Sequence, residues 1–233
     1  MAHLTCVEAI AVRAFAAVRL AACQTGAEQP ERASVVFRSY LLALLAGLVP
    51  PTVAAAADWT PVEQVKTYAI GGSTGLELYN SIGERGPEVG GLVRAIAHTD
   101  FKLTWTRDYQ RRGNGCVLAS ARPKLVITYT LPKLAGRLPA EVERSWQTFI
   151  EGVRAHEQVH GEMIKDLTRQ IETVTVGLSM DDDPQCRKIR KELTNRLAPL
   201  AASHRKRNRA FDQTEMSRGG NVHSLILALV NGG

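Results

Sequence analysis

A short stretch of the chain combines two histidines and a glutamate at a spacing that suits metal chemistry: His156-Glu157-Gln158-Val159-His160. This H-E-x-x-H pattern lies in a region with helical periodicity, and helix positions i and i+4 lie one turn apart on the same face. Two imidazoles at that spacing can bind one metal ion from one side, and the glutamate between them can accept a proton from a metal-bound water. We therefore predict His156 and His160 as Zn²⁺ ligands and Glu157 as the general base. The alternative is a solvated helix face that carries two histidines.

A catalytic zinc also needs a third protein ligand and an open position. Asp166 lies six residues beyond the motif, about 600° around a continuing helix, so it would point away from the histidines. A ligand from a returning helix is easier to place. Glu215 is the preferred third ligand, because a Glu on a second helix is a known zinc arrangement, and His204 and Asp212 are the alternatives. His204 could instead belong to the basic face of its helix, and Asp212 could form a salt bridge with Arg209.

The chain that follows residue 57 must position this site, and its first half has the sequence patterns of β-strands. Residues 64–70 and 95–105 alternate between apolar and polar side chains, and residues 125–131 are rich in β-branched and aromatic types. Between the first two strands, Thr74 and Glu77 form a capping-box signature for a short helix. The close spacing of these strands predicts an antiparallel or mixed sheet.

The second half favours helices. From Ala140 to about Val176 the chain has no proline and keeps helical spacing, and a second helix is predicted from Gln185 to about Met216. Asn221 is a candidate cap for a last short helix. The predicted fold class is α+β, with a small antiparallel or mixed sheet followed by a long H-E-x-x-H helix and an antiparallel return helix, a zincin-like arrangement.

The N-terminal segment has the composition of an export signal. Arg38 precedes the apolar run from Leu41 to Val49, and small residues follow up to Ala57, which is the order of a secretory signal and its cleavage site. We predict a pre-region over residues 1–57, with the signal at about 35–57, and a single domain over residues 58–233. Because about 35 residues precede the signal, translation is hypothesised to begin at Val35 or Val36.

The charge and the cysteine content limit which binding partners and which cellular compartment are expected. The formal net charge is +6, and the basic run from His204 to Arg209 has no interleaved aromatic residues for base stacking, so nucleic acid is not expected as a partner. Cys116 and Cys186 are the two cysteines that follow the signal, and an even count in an exported chain predicts a disulfide between them. We expect a periplasmic or secreted protein with no stable membrane span once the signal is removed.

Five segments carry a resemblance: YAIGGSTGLELY (68–79), AHTDF (97–101), ITYTLP (127–132), HEQVH (156–160) and NRAFD (208–212). In these the chain resembles the bacterial predicted secreted zinc-dependent proteases, a family largely treated as a domain of unknown function. The resemblance implies export, a zincin-type helix and peptidase chemistry on a peptide or protein substrate. In the family pattern an aromatic-Asp pair, here Phe211-Asp212, is followed by a threonine and then by His-Gly. In this chain Ser217 stands in place of that histidine.

Two functions follow as expectations. The first is an exported zinc-dependent metallopeptidase that hydrolyses peptide bonds through a zinc-bound water activated by Glu157. The second is a non-catalytic exported module that keeps a zincin-like fold for binding in the cell envelope. An intact Glu157 favours the first, because a purely structural metal site does not need a base, and Ser217 favours the second. A third possibility, a basic peripheral protein using residues 205–209, needs no metal.

Overall fold

The computed structural model describes residues 4–11, 59–89, 91 and 93–232. The elements, in chain order, are β1 (Leu4–Ala11), β2 (Val62–Ile70), α1 (Gly75–Arg85), β3 (Glu88–Val89), β4 (Val93–Arg112), β5 (Gly115–Leu134), α2 (Ala140–Thr175), β6 (Ser179–Met180), α3 (Arg187–Met216) and α4 (Asn221–Asn231). The α+β fold class predicted from the sequence is confirmed. The segment predicted as a secretory signal lies outside the described residues.

A mixed sheet forms the base of the site. Its strand order is β1-β4-β5-β2, with β3 paired to β4 and β6 paired to β5. Strands β4 and β5 form a long antiparallel hairpin that turns at Gly113, whose φ of 58° lies in the left-handed region that glycine adopts without strain. Strand β2 pairs with β5 in parallel, and β1, which belongs to the predicted pre-region, pairs with β4 antiparallel.

Helix α2 packs its buried side on one face of the hairpin. The shared apolar cluster contains inward-facing residues of β4 and β5 and one stripe of α2, namely Phe101, Leu103, Leu125, Ile127, Tyr129, Ile164, Leu167 and Ile171. Each fully buried aliphatic or aromatic side chain in such a cluster contributes on the order of 1.5–3 kcal/mol. This packing fixes the rotation of α2 about its axis, and with it the direction in which the H-E-x-x-H motif points.

Helix α3 returns antiparallel along α2, as the sequence predicted. His156 contacts Asp212, and His160, one turn further along α2, contacts Asn208, one turn earlier in α3. The start of α3 is held by Asp183, whose carboxylate oxygens accept hydrogen bonds of 2.7 and 2.9 Å from the backbone N–H groups of Arg187 and Ile189. The antiparallel return brings two distant segments of the chain to the same place.

The predicted disulfide is present and ties the hairpin to α3. Cys116 at the start of β5 is bonded to Cys186, the residue before α3, across 70 residues of sequence. In the chain-entropy model a loop of this length is worth roughly 4 kcal/mol. Among the described residues, no helix combines the length and the apolar character needed to cross a membrane.

Candidate metal centre

The two motif histidines lie side by side on α2 and point their Nε2 atoms at one spot. Both side chains are almost fully buried, with 2% of His156 and 1% of His160 exposed. Their Nε2 atoms are 3.0 Å apart, and their rings meet edge to face with centroids 4.8 Å apart. The helical spacing predicted this convergence, and the packing of α2 on the sheet directs it towards α3.

Asp212 on α3 supplies a third donor atom at the same spot. Its Oδ1 lies 3.2 Å from His156 Nε2 and 2.8 Å from His160 Nε2. Among the described residues, His156, His160 and Asp212 form the group of side chains that could hold a metal ion. Burial alone would raise the pKa of the Asp212 carboxyl, but hydrogen bonds to the two histidines outweigh burial and lower this pKa below its ordinary value.

The three donor atoms fit a zinc ion. Two imidazole nitrogens and one carboxylate oxygen are a donor set that zinc takes in catalytic sites, with bonds of about 2.0–2.2 Å. Tetrahedral geometry with such bonds places neighbouring donors roughly 3.3 Å apart, close to the distances of 2.8–3.2 Å observed here. A tetrahedral ion held by three protein donors would have one position left for water.

Glu157, between the two histidines, is 1% exposed. One of its oxygens, Oε2, accepts a hydrogen bond of 2.5 Å from the Thr99 hydroxyl on β4. Its other oxygen, Oε1, is buried and has no hydrogen-bond partner among the described residues. Burial raises the pKa of the Glu157 carboxyl to about 7, while the Thr99 hydroxyl and the nearby histidines pull this pKa down less strongly. A buried carboxylate with one oxygen held and the other unpartnered is suited to accepting a proton.

A second layer of side chains orients the donor atoms. Asn208, which is fully buried, accepts a hydrogen bond of 2.6 Å from His160 Nδ1 through its Oδ1 and donates one of 2.8 Å from Nδ2 to the backbone oxygen of His204. The second bond fixes which way the amide points, so His160 Nδ1 carries a proton and donates it to Asn208, and the neutral ring would present the lone pair of Nε2 to a metal ion. Metal-ligating histidines are held in this way by an outer hydrogen-bond partner.

Phe211 and Glu215 surround His156. The Phe211 ring stacks on the His156 imidazole at 4.6 Å and meets the His160 ring edge-on at 5.3 Å, which limits rotation of both. Glu215 places its Oε2 3.6 Å from His156 Nδ1, the nitrogen that faces away from Asp212. This distance is too long for a hydrogen bond but close enough for electrostatic attraction.

The structure therefore separates the three candidates for the third ligand. Asp212 reaches both Nε2 atoms, whereas Glu215, preferred from the sequence, lies on the outer side of His156. His204 is buried behind Asn208, with the Phe101 ring against it at 6.0 Å. Burial, with the positive charges of nearby arginines, lowers the pKa of His204 to about 4, so this ring is neutral at physiological pH.

Two further residues considered from the sequence lie elsewhere. Asp166 is exposed and faces Arg207, with 3.5 Å between the carboxylate and the guanidinium. Ser217 ends α3, where it is exposed and its hydroxyl donates to the backbone oxygen of Thr214.

The roles of Thr99, Asn208 and Phe211 were missed from the sequence. The spacing of Asn208, Phe211 and Asp212 at i, i+3 and i+4 was the available signal, since it places all three on one helix face.

Comparison with known proteins places the chain in a family without assigning an activity. Residues 65–220 match the model of a family described as bacterial protein of unknown function (DUF922). The chain belongs to this family. The matched range contains β4, the motif on α2 and the Asn208–Asp212 segment of α3. No curated protein and no solved structure matches the chain.

Proposed function

We propose that this member of the DUF922 family is an exported zinc-dependent metallopeptidase. One observation carries the proposal: three buried or half-buried donor atoms of His156, His160 and Asp212 converge within 3.2 Å. Glu157, next to His156 in the chain, also has a buried carboxylate with one unpartnered oxygen. A structural zinc site is closed by four protein ligands and has no use for such a carboxylate. A hydrolytic site needs both an open metal position and a base.

The chain's own residues account for the proton movements of peptide hydrolysis. Zinc, when bound, would act as a Lewis acid towards the substrate carbonyl and would lower the pKa of a water molecule at the site. Glu157 Oε1 takes a proton from the attacking water, while the Thr99 hydroxyl holds Oε2 in place. Glu157 then donates that proton to the amine nitrogen as the C–N bond breaks. Burial raises the pKa of this carboxyl above its ordinary value, which makes it a better proton acceptor while leaving it able to return the proton.

Export is supported by the disulfide. Disulfides persist in oxidising compartments such as the periplasm and the extracellular space and are rare in reducing ones. The bond between Cys116 and Cys186 joins two elements of the folded unit that contains the metal centre. We place the protein in the periplasm or outside the cell, acting on peptide or protein substrates.

The second candidate function is a non-catalytic exported module that binds a partner through the same fold. The near-complete burial of both histidines favours this candidate, because a substrate must reach the open metal position. Ser217 favours it as well, since an exposed serine stands where the resembled pattern has a histidine.

The two functions are separated by a matched pair of substitutions on one helix. Glu157→Gln should keep zinc and lose peptidase activity against an unfolded protein substrate by about 10²–10⁴-fold, the usual cost of removing a general base. Glu151→Gln, at an exposed position of the same helix, should keep both zinc and activity. A wild-type protein that holds zinc but cleaves nothing in a broad peptide library would refute the enzyme and leave the binding module. Glu157→Gln protein as active as wild type would refute the assigned base.

A further inference from the structure

Strand β4 carries a cluster of aromatic and cationic side chains in its second half. Trp105, Arg107 and Tyr109 share one face of the strand, because successive side chains of a strand point to opposite faces. Arg190 reaches this face from the start of α3. The Arg107 guanidinium lies 5.5 Å from the centre of the Trp105 ring, and the Arg190 guanidinium lies 4.1 Å from the centre of the Tyr109 ring. Two cations and two rings therefore meet between β4 and α3.

Neither of these guanidiniums has a carboxylate partner among the described residues. Arg196, later in α3, pairs with Glu192 at 3.0 Å. Arg107 and Arg190 stack their faces on rings instead, and a stacked guanidinium keeps its in-plane N–H groups for other acceptors. Burial lowers the pKa of the Arg107 guanidinium and the positive charge of Arg190 lowers it further, although Tyr109 acts in the opposite direction. Two like charges are thus held near each other without a described carboxylate to offset them.

Two buried N–H donors of the same cluster also have no acceptor in the part of the chain that the structure describes. They are Trp105 Nε1 and Arg107 Nε. Most buried N–H groups in folded proteins are hydrogen-bonded, and an exception points to an ion or a water molecule. Both side chains as a whole are half-buried, so solvent reaches the outer side of the cluster. Free donors, positive charge and access from solvent are what an anion-binding site requires.

The start of α3 adds positive charge where a helix ordinarily avoids it. The first turn of α3 has no acidic residue, and four of its first five residues are exposed cations, namely Arg187, Lys188, Arg190 and Lys191. Cations at this end oppose the helix dipole, so their position does not stabilise the helix itself. The same charges and the same dipole attract an anion to the cluster.

We propose that Trp105, Arg107 and Arg190 form a binding site for a phosphate-type dianion. A carboxylate offers two oxygens in one plane, whereas a tetrahedral phosphate offers oxygens in several directions, which suits donors that arrive from a strand and from a helix. A phosphate monoester carries nearly two negative charges at neutral pH, and these would balance the two guanidiniums. Trp105 lies about 20 Å along β4 from Thr99 at the usual rise per residue. The site is therefore separate from the candidate metal centre and does not depend on the proposed peptidase function.

The experiment measures the binding of inorganic phosphate to the full chain by isothermal titration calorimetry. Arg107→Gln and Arg190→Gln should each weaken binding by about 10–100-fold, the usual range for the loss of a hydrogen bond to a charged group. Trp105→Phe keeps a ring under Arg107 but lacks the indole N–H, and it should weaken binding by about tenfold. The matched control is Arg122→Gln, because Arg122 is exposed and lies opposite Thr106, on the other face of the same hairpin. At physiological ionic strength this variant should bind within about twofold of wild type.

A second measurement separates the two sources of such a group, free phosphate and a lipid headgroup. The full chain is sedimented with phosphatidylcholine vesicles that contain or lack phosphatidic acid. Inorganic phosphate bound by wild type and Arg122→Gln but not by Arg190→Gln assigns the site to free phosphate. The same pattern seen only with phosphatidic acid vesicles assigns the site to a headgroup.

Four results would overturn the site. The first is no binding of either probe, and the second is acetate binding as tight as phosphate binding. The third is an equal loss in Arg122→Gln and Arg190→Gln, which would show general charge attraction. The fourth is phosphate binding that Arg190→Gln leaves unchanged, because the anion would then lie elsewhere, for example at the metal centre. Arg190 is exposed, so its substitution should preserve the fold, as circular dichroism can verify, and the test stands even if Arg107→Gln does not fold.

Discussion

Asn208 Oδ1 accepts a hydrogen bond of 2.6 Å from His160 Nδ1, and this contact joins α2 and α3 at the candidate metal centre. The bond sets the tautomer of a histidine whose other nitrogen lies 2.8 Å from Asp212 Oδ1. One turn of α3 thus provides both the third donor atom and the group that aims the second. The two contributions lie four residues apart, which is the spacing of one helical face.

The role of Asn208 can be tested through zinc affinity. Asn208→Ala should weaken zinc binding by about 10–100-fold, the usual effect of losing an outer hydrogen-bond partner of a metal ligand. Asn208→Asp should recover much of the affinity, because a carboxylate oxygen can also accept from Nδ1. Asn195→Ala, at an exposed position of the same helix, is the control and should bind zinc as wild type does. Competition with a chromogenic chelator measures all four proteins, and an Asn208→Ala affinity equal to wild type would contradict the role.

The identity of the third ligand gives the next prediction. Purified protein should hold about one zinc per chain, and Asp212→Ala should lose it, because Asp212 Oδ1 faces both Nε2 atoms. Glu215→Ala should retain zinc with at most a modest loss of affinity, since Glu215 faces the outer nitrogen of His156. Elemental analysis of the dialysed variants decides the question. Zinc lost from Glu215→Ala and kept by Asp212→Ala would restore the preference drawn from the sequence.

Gly161 lets Tyr129 approach α2 directly after the motif. A Cβ at residue 161 would lie 2.1 Å from Tyr129 Oη and 3.0 Å from Cζ. Tyr129 Oη is itself held at 2.8 Å by Glu63 on β2, so it cannot move away without breaking that hydrogen bond. Gly161→Ala should therefore lower the free energy of unfolding by about 1–3 kcal/mol, the usual cost of overpacking. Urea unfolding of the two proteins measures this difference.

Two further variants test that explanation. Adding Tyr129→Phe to Gly161→Ala removes the closest atom and should recover part of the lost stability. Gly83→Ala in α1 has no heavy atom within 4 Å of the new methyl group, so it should be neutral or stabilising by about 0.5–1 kcal/mol. If the Tyr129→Phe change brings no recovery in the Gly161→Ala background, the clash with the hydroxyl is not the cause.

The buried His204 predicts a pH dependence of stability. Its folded-state pKa, lowered to about 4 by burial, lies below the ordinary value of 6.5, so the unfolded chain binds more protons between these two values. Stability from this residue is therefore fully present above pH 6.5 and is lost as the pH falls towards 4. Allowing for screening by solvent, the loss between pH 7 and 5 should be about 1 kcal/mol.

The comparison for this prediction is His204→Gln. Both proteins are treated with chelator, and their urea unfolding midpoints are measured between pH 7 and 5. The midpoint should fall less with falling pH in His204→Gln than in wild type. Between pH 7 and 8 both should respond alike, because His204 is neutral throughout that range. Parallel curves down to pH 5 would show that His204 does not carry the effect.

Local patterns in the sequence were enough to predict the elements and half of the site. The four-residue spacing of His156 and His160 fixes their shared helix face, because α-helix geometry depends only on the chain nearby. The capping box is a local feature of the same kind, and Thr74 does accept a hydrogen bond of 3.2 Å from the Glu77 backbone N–H. The two cysteines after the predicted signal could pair only with each other, so the disulfide also followed.

The tertiary structure decided which groups meet the motif. Glu215 and Asp212 lie less than one turn apart on α3, so a small rotation of that helix exchanges which carboxylate faces the histidines. That rotation is set by side-chain packing between α3, α2 and the sheet, and no local pattern encodes it. Thr99 and Tyr129 reach α2 for a similar reason, because the β4–β5 register and the close approach at Gly161 bring them under the helix. The sequence by itself determined the motif, the helices and the disulfide, whereas long-range packing decided the third candidate donor, Asp212, and the hydrogen-bond partner of Glu157, Thr99.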